Sequence, residues 1–307
     1  MERSETPGLV NSEAAAPRVV QREPAAEWML RIARGQPRRV RRERRYRIPP
    51  WVNIVLFLAT CVTVGAMQGP QFALTLMTIL LAHEMGHYVT ARRAGVEQTL
   101  PFFIPAPTLL GTLGAMIFLR TPPPNKRVLL DIAVMGPYSG LVLAIPAIAW
   151  GVANPVSAPE DVQLGGSLLF EGLRLMFGVP GGTMHPVARA GWFGVFVTSL
   201  NLIPAGQLDG GHVTYALLGS RQRFVSIFVV GSLFAFGLSL TLYGGAARLS
   251  GGVWLTWSVM LMLFGLRHPH VAGEDYPLMR YERLNAWFAL AVFVMTFAPI
   301  PFKAITG

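Results

Sequence analysis

The run QFALTLMTILLAHEMGHYVTARRAG, Gln71 to Gly95, decides how the rest of the chain is read. Taken as a helix, it sets His83 and His87 four positions apart on one face, where two imidazoles can hold one metal ion, with Glu84 beside them. That is the geometry of a zinc hydrolase. The bland alternative is a chance HExxH with satisfied histidines and a solvated carboxylate. In an apolar span it would leave three polar groups facing lipid, whereas such groups usually face a partner or a water-filled cavity.

The composition around this run sets the class. The chain has 307 residues, 52% of them hydrophobic and 14% charged, with a mean hydropathy of +0.45. It is too apolar for one soluble domain, and its apolar residues come in long runs. The expectation is an all-α polytopic membrane protein with about six or seven transmembrane helices and a small re-entrant or β-hairpin element after the HExxH helix. Spans are predicted at 51–67, 71–90, 128–150, 188–203, 224–243, 253–266 and 286–300. Several fall short of the ~20 residues a straight helix needs, so one or two are candidates for re-entrant segments. The single Cys61 excludes an internal disulfide framework.

Basic residues set the orientation. Residues 1–47 are rich in Ala, Pro, Glu and Arg and read as a disordered cytoplasmic tail, with residues 48–307 as the membrane-embedded domain. The tail ends in RRVRRERRYR, Arg38 to Arg47, a cluster expected to be drawn to anionic lipid headgroups beside the first span. No signal peptide is read, because the first apolar run begins too late and more spans follow it. With the tail inside, Arg92, Arg93, Arg120, Lys126, Arg127, Arg221, Arg223, Arg267, Arg280 and Arg283 also fall inside, and only Arg174, Arg189 and Arg248 lie near outer loops. This pattern suits a multi-pass protein of a bacterial inner membrane with a cytoplasmic N-terminus. The net charge of +10 is therefore a topology signal, and nucleic-acid binding is not expected. Because His87 lies five residues before Arg92, about 8 Å of helix rise, the metal is expected inside the membrane toward the cytoplasmic side.

Two loops read as structured. LPFFIPAPTLLGTLGAMIFLRTPPP, Leu100 to Pro124, is apolar but broken by Pro101, Pro105 and Pro107 and carries Gly111 and Gly114, which favours short strands or a re-entrant hairpin. In the outer loop, SLLFEGLRLMFG, Ser167 to Gly178, reads as an interfacial helix with Glu171 and Arg174 on its polar face. His268 and His270 read as loop residues, and His185 falls on the outer side.

Catalytic zinc usually has three protein ligands and an open position, so a third ligand is expected elsewhere at similar depth. NLIPAGQLDGGH, Asn201 to His212, offers Asp209 after a stretch that Pro204 and Gly206 interrupt, with Gly210 and Gly211 allowing a tight turn. His212 is the rival ligand, and Asp209 could instead cap a helix.

The pairing of HEMGH with NLIPAGQLDGGH, both on apolar runs, resembles the site-2 protease family of intramembrane zinc metalloproteases. The likeness runs from about Gln71 to Gly219 and extends to the Gly-rich loop at Gly111 to Ala115 and to GPYSG, Gly136 to Gly140, in the third span. The resemblance implies zinc bound by His83, His87 and Asp209, with Glu84 as the catalytic carboxylate. It also implies that Asn201 and Pro204 shape the site or hold substrate. The loop at Thr108 to Leu119, with Gly111 and Gly114, would correspond to the family's membrane-associated sheet, where a substrate strand pairs. The implied substrates are single-span membrane proteins cleaved near the cytoplasmic side. No PDZ-like segment fits between the third and fourth spans. A membrane metal-handling or transport protein would need further acidic or His ligands along a path, and the last three predicted spans hold almost none. An inactive scaffold is the other rival, although Glu84 is present.

Overall fold

The computed structural model describes residues 48–108, 110–156, 162–177, 184–269, 271 and 277–304. The Arg-rich tail and His270 lie outside the described residues. In order, the elements are α1 (Pro50–Gln68), α2 (Pro70–Arg93), β1 (Phe102–Pro105), β2 (Thr112–Met116), α3 (Lys126–Ala153), β3 (Val162–Leu164) and α4 (Leu168–Phe177). There follow α5 (Pro186–Asn201), α6 (Asp209–Leu218), α7 (Gln222–Tyr243), α8 (Arg248–Phe264), α9 (Arg280–Thr296) and β4 (Phe302–Ala304).

Local chemistry sets several of these boundaries. Proline occupies the first turn of α1, α2 and α5, where its missing N–H is not needed. Between α1 and α2 a single residue, Gly69, turns the chain at φ 88°. The Asn125 side chain caps α3 by accepting from the N–H groups of Arg127 and Val128, both at 3.0 Å.

The seven predicted spans all fall on helices, α1, α2, α3, α5, α7, α8 and α9. Among the described residues four stretches are long and apolar enough to cross a membrane on their own: Pro50–Gln68, Lys126–Ala153, Asp209–Tyr243 and Gly245–Phe264. Length and composition alone thus account for four of the six or seven expected spans. The helices that fall short have reasons to: α2 carries the polar HEMGH and two arginines, α5 has 16 residues and α9 opens on RYER.

Helices α2, α3 and α5 pack around the main core, with Phe72, Leu76 and Ile79 against Ile148, Phe193 and Phe196. The contact is close enough that a Cβ on Gly86 of α2 would overlap the carbonyl of Met135 in α3. Small residues permit such backbone approach between membrane helices, where packing replaces the hydrophobic effect. Helices α6 and α9 lie against α3 and bury Leu130, Ala133, Val213 and Ala286. The outward faces of α1, α7 and α8 expose Val62, Phe228 and Leu263, as lipid-facing surfaces do.

The Pro- and Gly-broken loop is a β-hairpin. β1 and β2 pair antiparallel, Phe102 opposite Met116 and Phe103 opposite Ala115, with an irregularity before Pro105. The hairpin is fixed to α1, whose Asn53 side chain donates to the carbonyls of Leu100 (3.2 Å) and Pro101 (3.0 Å). The expected outer helix is α4, with Glu171 and Arg174 paired at 3.5 Å and Leu175 and Met176 exposed. A second sheet was not anticipated: β3 pairs antiparallel with β4, Leu164 opposite Phe302.

Candidate metal centre

Three elements build the site. α2 supplies His83, Glu84 and His87 on successive turns, and α3 supplies the surface they lie on. The His87 Nδ1 lies 2.7 Å from the Ile132 carbonyl, which can only accept, so Nδ1 carries the proton and Nε2 is left as a donor atom for a metal. One turn beyond Ile132, a Cβ built on Gly136 would fall on the His87 ring. A further turn on, the bare Cα of Gly140 faces His83, where a Cβ would lie 3.3 Å from the ring. Ile132, Gly136 and Gly140 therefore make one strip of α3, a carbonyl followed by two side-chain-free positions, on which both imidazoles rest.

Asp209 arrives from the other side as the first residue of α6. α5 ends at Asn201, and the turn to Leu208 is held from within by α7: the Gln222 Nε2 donates to the Gly206 carbonyl at 3.1 Å, and the Gly206 N–H donates to the Ser226 hydroxyl at 3.1 Å. A Cβ on Gly210 would overlap the Leu202 carbonyl and one on Gly211 that of Gly206, so the two glycines let the first turn of α6 fold back onto its own approach.

The three donors converge. His83 Nε2 and His87 Nε2 are 3.2 Å apart, and Asp209 Oδ2 lies 3.5 Å from the first and 3.3 Å from the second. A tetrahedral ion with ligands at about 2.0–2.1 Å separates its ligand atoms by about 3.3 Å. The observed triangle has those edges. Electron-rich atoms held this close need a proton or a cation among them, and two imidazoles with one carboxylate match the three-ligand set of a catalytic divalent ion with one position open. The structure thus brings His83, His87 and Asp209 together.

Glu84 is 9% exposed, and no described residue donates a hydrogen bond to its carboxylate. The Asn201 amide nitrogen lies 3.3 Å from His83 Nε2, at the edge of the triangle. Pro204 sits half-buried in the turn before Asp209. Gly111 is placed elsewhere: at φ 79° it is buried against α1, where the Thr63 hydroxyl donates to its carbonyl at 2.7 Å. Gly114 stands at φ 95° in β2 with open space beside it. Of the four residues expected to hold substrate, Asn201 alone touches the ligand trio.

His212, the rival ligand, is not in the trio. Its Nδ1 lies 2.6 Å from His268 Nε2, and the His268 ring stacks on Tyr215 at 4.1 Å. In sequence His268 is a plain loop residue, and neither the Ile132 carbonyl nor Gln222 is marked as part of the site. A carbonyl has no side-chain signal, and the other two act across 56 and 16 positions of chain.

A family model of peptidase family M50 matches residues 71–244. Probable zinc metalloprotease EGY1, chloroplastic, of Oryza sativa subsp. japonica is 32% identical over 202 residues, 61% of this chain and 33% of that protein. Probable zinc metalloprotease EGY2, chloroplastic, of Arabidopsis thaliana is 28% identical over 252 residues, 78% of this chain and 43% of that protein. Probable zinc metalloprotease EGY3, chloroplastic, of Oryza sativa subsp. indica is 31% identical over 239 residues, 68% of this chain and 37% of that protein. The chain thus spans less than half the length of these curated relatives.

Proposed function

The chain belongs to peptidase family M50, and from that premise we propose that it is an intramembrane zinc metalloprotease. The observation that carries the reading is the triangle of His83, His87 and Asp209 beside a buried, unbonded Glu84 in an apolar helix bundle. The two histidines and Asp209 hold the ion. Zinc, when bound, supplies Lewis acidity toward a water and toward the scissile carbonyl. Glu84 takes the proton of the attacking water and later passes it to the leaving amine. The Asn201 amide, next to His83, orients the substrate carbonyl, and Pro204 shapes the turn behind it. Ile132 and the bare strip of α3 keep both imidazoles in register for these steps.

Substrates are single-span membrane proteins. An intact helix shields its peptide bonds, so the substrate must be extended before cleavage. The two-stranded hairpin supports strand addition: among the described residues β2 has an edge that pairs with no other strand. Gly114, in open space, lies on that strand, and Gly111 keeps it braced on α1. Proline at Leu113 or Ala115 is expected to abolish cleavage, and unchanged cleavage would sink this step.

The protein carries helices able to span a membrane. We further assign six to seven spans, a cytoplasmic N-terminus and a site on that side, with the Arg-rich tail on anionic lipid and no nucleic-acid partner. The positive-inside pattern suits a bacterial inner membrane. The relatives' names say chloroplastic, which runs against that compartment and leaves an organelle membrane as the rival. Reporter fusions at residue 1 and in the loop between α7 and α8 test the orientation: signals on the same side refute it.

The activity test uses full chain purified in detergent, with zinc content and cleavage of a panel of single-span substrates as readouts. Glu84→Gln is expected to keep zinc and lose cleavage, and Asp209→Ala to lose both. Bound zinc without Glu84-dependent cleavage would favour a metal-handling protein or an inactive scaffold. Absence of zinc would overturn the proposal.

A further inference from the structure

A second feature stands apart from the metal centre, at the junction of α7 and α8. Arg223 and Ile227 sit one turn apart on α7, Phe264 is the last residue of α8, and Leu266 and Arg267 follow it. With Gln207 they line a cleft of about 570 Å³. α7 and α8 pack side by side and are joined by a four-residue turn, and each belongs to a stretch able to cross a membrane. The start of α7 and the end of α8 therefore lie at the same membrane face. Two guanidiniums stand at this rim, and Ile227 and Phe264 are exposed beside them.

Among the described residues this charge has no counter-charge. No carboxylate lines the cleft, and among the described residues neither Arg223 nor Arg267 has an ion pair, while Arg127 has Glu282 and Arg174 has Glu171. The Arg223 guanidinium carbon lies 4.7 Å from the centre of the Phe224 ring, a contact that uses none of its N–H donors. We propose that this cleft binds the phosphate of an anionic phospholipid, with an acyl chain along Ile227 and Phe264. A guanidinium presents a planar fork that matches phosphate oxygens, and basic pockets between spanning helices recognise anionic headgroups. A soluble anion would have no use for the apolar wall. An acidic peptide would leave Ile227 and Phe264, exposed on stretches able to cross a membrane, without an apolar partner. Gln207 lies two residues before Asp209, so the bound lipid touches the turn that carries the third ligand.

The test is native mass spectrometry of the full chain in neutral detergent, with dioleoyl phosphatidylglycerol, dioleoyl phosphatidylcholine or inorganic phosphate added at equal concentration. One phosphatidylglycerol is expected to be retained over phosphatidylcholine, with inorganic phosphate failing to displace it. An Arg223→Gln, Arg267→Gln pair is expected to weaken retention about fivefold per guanidinium, about 25-fold in all, while Arg223→Lys, Arg267→Lys recovers part of it. Unchanged melting of both pairs shows that they fold. If either pair fails to fold, a salt titration of the native chain decides, because retention must fall as salt rises. Equal retention of the two lipids, native-like retention by the Gln pair or indifference to salt would overturn the proposal. So would displacement by phosphate alone or by an acidic peptide.

Discussion

Gly136→Ala separates the scaffold of the metal centre from its ligands. In an exposed helix interior this change ordinarily stabilises by about 0.5–1 kcal/mol. Here the added Cβ would fall on the His87 ring, inside any distance real Cβ atoms keep. The ring is the end of a side chain, and such an end usually moves away at little cost. This one is pinned, because Nδ1 is bonded to the Ile132 carbonyl at 2.7 Å and Nε2 faces His83 and Asp209. Either that hydrogen bond is given up or α2 and α3 separate, and separation opens the contact of Gly86 with Met135. Losing the partner that orients a ligand typically weakens metal affinity about 10- to 100-fold, or about 1.4–2.7 kcal/mol. Zinc affinity is read by competition with a chromogenic chelator, and the metal-free protein is melted in parallel. The expected result is a drop in affinity with little change in metal-free stability, since helix propensity and overpacking oppose one another. Gly231→Ala is the control, a helix glycine of α7 with open space around it, expected to bind zinc as the native chain does. Native affinity in Gly136→Ala would refute the idea that α3 sets the ligand geometry.

Three further outcomes follow from the same structure. Gln222→Leu leaves the Gly206 carbonyl and the Ser226 hydroxyl without their donor, in a place where Gln222 is 1% exposed. A loss of about 1–3 kcal/mol in melting free energy is expected, together with poorer zinc retention, and native values for both would contradict the role given to this network. Glu282 accepts from the Met279 N–H at the start of α9 and pairs with Arg127 at 3.4 Å. Glu282→Ala should destabilise by about 2–4 kcal/mol and expose the start of α9 to proteolysis, with Glu282→Gln recovering part of the loss; an unchanged protease digest would count against it. Chelating the metal should lower stability by about 4 kcal/mol where zinc stands at 1,000 times its dissociation constant. That shift should vanish in Asp209→Ala, and an equal shift in the variant would remove Asp209 from the ligand set.

The two halves of the metal centre were legible in the sequence for different reasons. HEMGH carries its own geometry, because four positions of helix put two imidazoles on one face wherever the helix lies. Asp209 was legible from its surroundings, a Pro and three Gly next to an apolar run. The α-helical period says nothing of the strip on α3, where Ile132, Gly136 and Gly140 act through a carbonyl and two absent side chains. GPYSG was visible as a motif, but only the packing of α2 against α3 shows what its glycines make room for. The β3–β4 pairing was out of reach because each strand has three residues and the partners lie more than a hundred positions apart.

The span count turns on a related point. Hydropathy over a window measures fitness for lipid, and helices at the centre of a bundle face protein instead. α5 is the clearest case: nearly every residue from Ala188 to Leu200 is buried, three of its neighbours being α2, α3 and α9. With protein on all sides it needs neither 20 residues nor a lipid-compatible surface, and it uses Gly191 and Gly194 to come close to α3 and α2. α2 departs for a complementary reason, since the polar groups that lower its hydropathy are the ligands themselves. A hydropathy window therefore passes over α2, which carries both histidines, and α5, while the stretches that qualify are α1, α3, the run from Asp209 through α7, and α8, of which α1, α7 and α8 expose apolar faces that meet lipid.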